Sequence, residues 1–188
     1  MLMSIRHARI APSLLLAVLA AGCGGEAHEG GGAPLPDAIH GLALVESHSG
    51  SEAAQILIEM HGAEVVPPEN HIGHYGTEEL GAVLYVSQFD GAAAADSFLV
   101  AMAQRIGAGS SGYGHHASFD AADHRVHMVF GHGQVHYFYA DARDLVWLAV
   151  DPRIARTALA ELLKTKTDSI PTFEEVMMGR PAAETGAG

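Results

Sequence analysis

Residues 124–150 read HRVHMVFGHGQVHYFYADARDLVWLAV, three runs rich in β-branched and aromatic residues, separated by Gly131-His132-Gly133 and by Asp141-Ala142-Arg143-Asp144. Both separators have turn composition, so the stretch predicts a three-stranded antiparallel meander. With two central residues in each turn, Val129 falls opposite His136, Met128 opposite Tyr137, Phe138 opposite Trp147 and Tyr139 opposite Val146. The two faces then separate. Val126, Met128, Phe130, Val135, Tyr137, Tyr139, Val146, Leu148 and Val150 share one unbroken apolar face, a predicted core. His127, Val129, His136, Phe138, Trp147 and Ala149 share the other. A slip of one residue in either hairpin would turn an apolar set outward, so turns and patterns specify one register.

Working outward, residues 82–89 (AVLYVSQF) predict a further strand, buried on both faces. The apolar run at residues 42–45 is too short to separate strand from helix. Three amphipathic helices are expected. Ser49-Gly50-Ser51-Glu52 reads as a capping box ahead of the stripe Ala53, Ile56, Leu57 and Met60, with Gly62 as the stop. Asp90 precedes Ala95, Phe98, Leu99, Met102 and Ile106, which recur at helical spacing up to Gly107. Asp151-Pro152 opens the third, with Ala155, Ala158, Leu159 and Leu162 as its stripe and Lys164 at the negative end of its dipole. Residues 63–80, with Pro67-Pro68 and His71-Ile72-Gly73-His74, read as a loop by their proline and glycine content. Residues 107–114 read as a flexible connection into His115-His116: they follow a helix and lack the lysine of a phosphate-binding loop. Ile170, Phe173, Val176 and Met177 suit a last packed turn. The sum is an α+β domain, an antiparallel sheet (meander 124–150 plus strand 82–89) with about three helices packed on one face.

The N-terminus carries a different signal. Arg6 and Arg9 lead into the apolar run at residues 14–20 and then Ala21-Gly22-Cys23, the layout of a secretory signal peptide, too short to span a membrane. Small residues directly before the only cysteine of the chain resemble the lipobox of bacterial membrane lipoproteins, with Ala20 where that family most often has leucine. The resemblance implies cleavage before Cys23, a diacylglyceryl group on its thiol and an amide-linked fatty acid such as palmitate on its amine, chains which together anchor far more firmly than one. It covers residues 1–23 alone. The expected organisation is a signal peptide at 1–22, the lipidated cysteine and a glycine-rich tether at 23–37, one domain at 38–178 and a disordered tail at 179–188. The implied location is the bacterial cell envelope, with the domain in the periplasm or outside the cell. Gly24, in place of the aspartate that retains some lipoproteins at the inner membrane, leans toward the outer membrane.

Loss of Arg6 and Arg9 from 10 basic residues leaves 8 against 22 acidic ones, a formal charge of −14. Such a surface repels nucleic acid and anionic lipid, so the expected membrane contact is the lipid at Cys23, and the remaining partner is a protein or small molecule. With its sole thiol acylated, the domain has no disulfide, cysteine nucleophile or thiolate metal site.

No hydrolase elbow, zincin helix, dinucleotide fingerprint or P-loop is present. Asp120 or Asp123 with His124 would make an acid/base pair, although such residues crowd any turn. No catalytic residue is assigned. Histidine is the compositional outlier, 13 in all. Imidazole is the commonest protein metal ligand, and zinc, copper and nickel suit nitrogen sites. In the register above, His127 and His136 are diagonal neighbours about 7 Å apart at their backbones. A third ligand would come from His71, His74, His115 or His116, leaving a fourth position for water or carboxylate. Three readings follow: a lipid-anchored binding or interaction module with no cofactor, a lipoprotein holding zinc, copper or nickel on histidines, and a hydrolytic enzyme.

Overall fold

The computed structural model describes residues 35–61, 67, 69–77, 79–109 and 112–178. The signal peptide, Cys23 with most of the tether, and the tail at 179–188 lie outside them. In chain order the elements are β1 (Ala38–Ile39), β2 (Leu42–Ser49), α1 (Ser51–His61), β3 (Glu69–Gly76), β4 (Gly81–Gln88), α2 (Ala92–Gly107), β5 (Gly114–Ala121), β6 (His124–Gly131), β7 (Gln134–Asp141), β8 (Asp144–Val150), α3 (Ala155–Leu162), a 3-10 turn (Thr167–Ser169) and α4 (Phe173–Met177). The strands form one sheet in the order β1-β2-β3-β4-β8-β7-β6-β5, with every neighbouring pair antiparallel. The fold is α+β.

The meander takes the expected register. Val129 pairs with His136, Met128 with Tyr137, Phe138 with Trp147 and Tyr139 with Val146. His132 (φ 54) and Gly133 (φ 78) supply the two left-handed residues that a tight hairpin needs, and Ala142 (φ 50) turns the second. The strand expected at 82–89 is β4, paired with β8 so that Leu84 lies beside Leu148 and Tyr85 beside Trp147.

The first face of the sheet is core. Leu148, Val150 and Val126 are each 0 % exposed, and α3 lays Ala155, Ala158 and Leu159 over them. Contrary to the expectation from the sequence, the helices do not all pack on one face. The second face also carries enough apolar surface to be covered: α2 packs Leu99, Ala103 and Ile106 on Val129, Phe138 and Leu145, and α1 packs Ala53 and Leu57 on Ile72. A fourth helix, α4, is opened by a capping box, in which Thr172 accepts the Glu175 amide and Glu175 accepts the Thr172 amide.

One segment read as a loop, 63–80, contains a strand, and a second strand that the sequence did not assign begins where the connection read at 107–114 ends. Residues 69–76 form β3 because Asn70, Ile72 and His74 alternate onto the second face, while Gly73 leaves room for the ring of Tyr75, which a Cβ there would meet at 2.9 Å. Residues 114–121 form the edge strand β5, with an irregularity between Gly114 and Ala117 and His115 at φ 57. The run at 42–45 opens a strand, β2. Caps differ as well. Ser49 Oγ shares a hydrogen bond with His71 Nδ1 (3.0 Å), and the Gly50 carbonyl takes the Ala54 amide that starts α1. Gly91, not Asp90, precedes α2 with no side-chain cap. Asp151 accepts the Arg153 amide (2.8 Å), capping a turn that delays α3 to Ala155.

Candidate functional site

A groove of about 740 Å³ opens at the sheet end where the β3–β4 and β6–β7 connections flank the close of β8. Gly76, Thr77 and Gly81 form one wall, His132, Gly133 and Gln134 the other, and Asp151 lies between. The hairpin chemistry that sets the register therefore also shapes the walls. Glu46 and His74 reach the groove from neighbouring strands. Behind them, His48 stands 3.5 Å from Glu46 and 2.9 Å from Glu52, with its ring edge-on to that of His74 at 6.1 Å.

His132 joins the groove to a set of rings on the second face. Its ring lies 5.7 Å from Tyr113, which in turn touches His136 at 4.9 Å and Trp147 at 5.5 Å. Tyr113 sits over Gly131, where a Cβ would collide with the tyrosine ring. Residues paired across the sheet then stack face to face: Trp147 on Phe138 at 4.8 Å, and Phe138 on His127 at 5.0 Å. His116 lies beside His127, its ring centroid 5.3 Å from that of His127 with an interplanar angle of 16° and 6.1 Å from that of Phe138. His116 Nε2 and His127 Nδ1 are 3.1 Å apart.

Burial sets the charge of these rings. It pulls His127 down to about 4, helped by the neighbouring His116 and Arg125, and it lowers His116 as well. His136 is likewise lowered by burial, against an opposing contribution from its bond to the Gly131 carbonyl. Its hydrogen bonds define its state. Trp147 Nε1–H donates to Nδ1 (3.1 Å) and Nε2–H donates to the Gly131 oxygen (3.1 Å), so the ring is a neutral tautomer with both nitrogens committed.

The six histidines read as ligands from the sequence therefore do not converge. His127 meets His116, not His136, because His136 spends both nitrogens inside the fold. His115 turns away to pack on Phe173 at 5.8 Å. His71 and His74 lie on β3, four strands from β6 and so about 19 Å away across the sheet. Among the described residues no group of three or more His, Cys, Asp or Glu is placed to hold a metal ion. Asp120 pairs with Arg125 at 2.8 Å rather than with His124.

No protein-family model, curated protein or solved structure matches the chain.

One arrangement has no sequence signal at all. Ser49 and His71 face each other across β2 and β3, and the second nitrogen of His71 stands 3.6 Å from Glu69, beyond hydrogen-bond reach. Serine, histidine and carboxylate fall in line only because the strand at 69–76 exists.

Proposed function

We propose that the chain is a lipid-anchored protein of the bacterial cell envelope, held at Cys23, whose α+β domain is a binding module for a small molecule or a short segment of another protein. The groove between the β3–β4 and β6–β7 connections carries this reading. It is concave, mixed in polarity, and walled by backbone-rich turns with a few titratable side chains at its rim, so its backbone amides and carbonyls and those side chains would fix a bound group. The formal charge of −14 left after cleavage favours neutral or cationic ligands over polyanions. Among the described residues no helix is long and apolar enough to cross a membrane; the proposed attachment is the acyl chains at Cys23, outer membrane favoured.

The Cys23→Ser chain tests both halves. Wild-type protein is expected in the membrane fraction with acyl mass on an N-terminal cysteine, and the variant in the soluble fraction without it; a mature chain that begins elsewhere overturns the anchor. The soluble variant then serves for a thermal-shift screen, in which a ligand at 100 times its dissociation constant stabilises by about 2.7 kcal/mol. Thr77→Trp, which fills the groove from its rim, should remove that shift.

The Ser49–His71–Glu69 alignment favours hydrolysis as a second reading, with His71 taking the proton of Ser49 as it attacks an acyl group. A serine-directed fluorophosphonate should then label Ser49 in wild type and not in His71→Ala. Failure to label the wild type removes the enzyme.

A further inference from the structure

We infer that His116 and His127 form a two-nitrogen binding site for a divalent transition-metal ion, copper(II) above all, on the second face of the sheet and separate from the groove. The spacing is that of a chelate, and an ion would take the place of the proton that now joins the two nitrogens. Two nitrogens bound at about 2.0 Å to one ion stand roughly 2.8 Å apart in a square-planar site and 3.3 Å apart in a tetrahedral one. His116 Nε2 and His127 Nδ1 are 3.1 Å apart, between those limits. Metal binding needs neutral imidazoles, and burial in the ring stack keeps both rings neutral near pH 7.

The surroundings suit a bound cation. Gly107, the last residue of α2, packs so closely on His116 that a Cβ there would stand 3.3 Å from Nδ1. The negative end of the α2 dipole thus faces Nδ1, which favours the N–H on that nitrogen and leaves the Nε2 lone pair for the ion. Phe138 stacks on both imidazoles and fixes their planes, with interplanar angles of 13° to each. Arg125, two residues before His127, opposes a cation, but its guanidinium is bound by Asp120 at 2.8 Å. With two protein ligands the remaining positions stay open to water or to an exogenous donor. Copper(II) stands at the top of the affinity order for such sites.

Trp147, the only tryptophan, is two ring spacings from His127 along the stack, close enough for copper(II) to quench its fluorescence. Titrating copper(II) chloride into the full chain in detergent, with glycine present to hold weakly bound ion, should quench Trp147 saturably at one equivalent. His116→Gln and His127→Gln should each weaken that binding by at least about tenfold, with melting temperature and circular dichroism confirming the fold. A second measurement needs no variant. Zinc(II) added to the wild-type chain should shift the nitrogen-15 resonances of one Nδ1 and one Nε2, those of His127 and His116. Absence of saturable quenching, equal quenching in folded variants, or zinc shifts at other nitrogens would each show the pair to be a structural hydrogen bond alone and overturn the site.

Discussion

Leu148→Asp is expected to abolish the folded state, with no cooperative thermal transition and no near-ultraviolet circular dichroism. Leu148 is 0 % exposed at the centre of the first face, registered between Leu84 on β4 and Tyr137 on β7 and covered by α3. Removing the leucine side chain costs about 2–5 kcal/mol in lost burial and cavity. The carboxylate adds a larger penalty: it must stay unpaired and charged in the core or take up a proton that it would not hold in water. Together these match or exceed the whole stability of an ordinary domain, about 5–15 kcal/mol. Trp147→Ala, one residue away and pointing to the other face, should instead leave a cooperative transition at lower temperature. A folded Leu148→Asp chain would mean that the faces are reversed.

The meander was legible because two independent features agree in phase. The turn residues at 132–133 and 142–143 set the pairing, and a period-two pattern then puts nine apolar side chains on one side. Neither feature marks β3 or β5. In β3 the apolar positions are interrupted by His71, Gly73 and His74, and the gap at Gly73 is filled from within the strand by the Tyr75 ring. In β5 the irregularity at His115 and His116 breaks the alternation that would reveal a strand. The error about helix placement has the same root. With His127 and His136 on it, the second face was not assigned to the core, yet His136 is 4 % exposed and satisfied by Trp147 and Gly131, so it behaves as core and lets α2 cover it. Placing His127 on that face was within reach of the sequence. Its partner was not, since His116 reaches it only through an edge strand whose existence the pattern conceals.

Acid should destabilise the domain through these same rings. His127 holds its proton with a pKa of about 4 in the folded chain against 6.5 for a free ring, so between those values the unfolded chain binds the extra proton and the folded one does not. Stability is therefore full above about pH 6.5, falls as the pH drops toward 4, and loses nothing more from this group below that. The shift corresponds to about 3 kcal/mol, reduced to about 2 kcal/mol by the water that reaches a half-buried ring. His116 and His136 shift in the same direction, and a proton on His136 Nδ1 would also break the bond from Trp147. His127→Phe isolates one share of the effect. The phenyl ring keeps the stack on Phe138 and has nothing to protonate, so the variant should lie within about 1 kcal/mol of wild type at pH 7.5, where the His116 hydrogen bond is its main loss. By pH 4.5 the balance should move about 2 kcal/mol in favour of the variant, read as a crossing of the two urea-unfolding midpoints. Parallel declines in both proteins would place the acid sensitivity elsewhere, in the carboxylates that titrate in the same range.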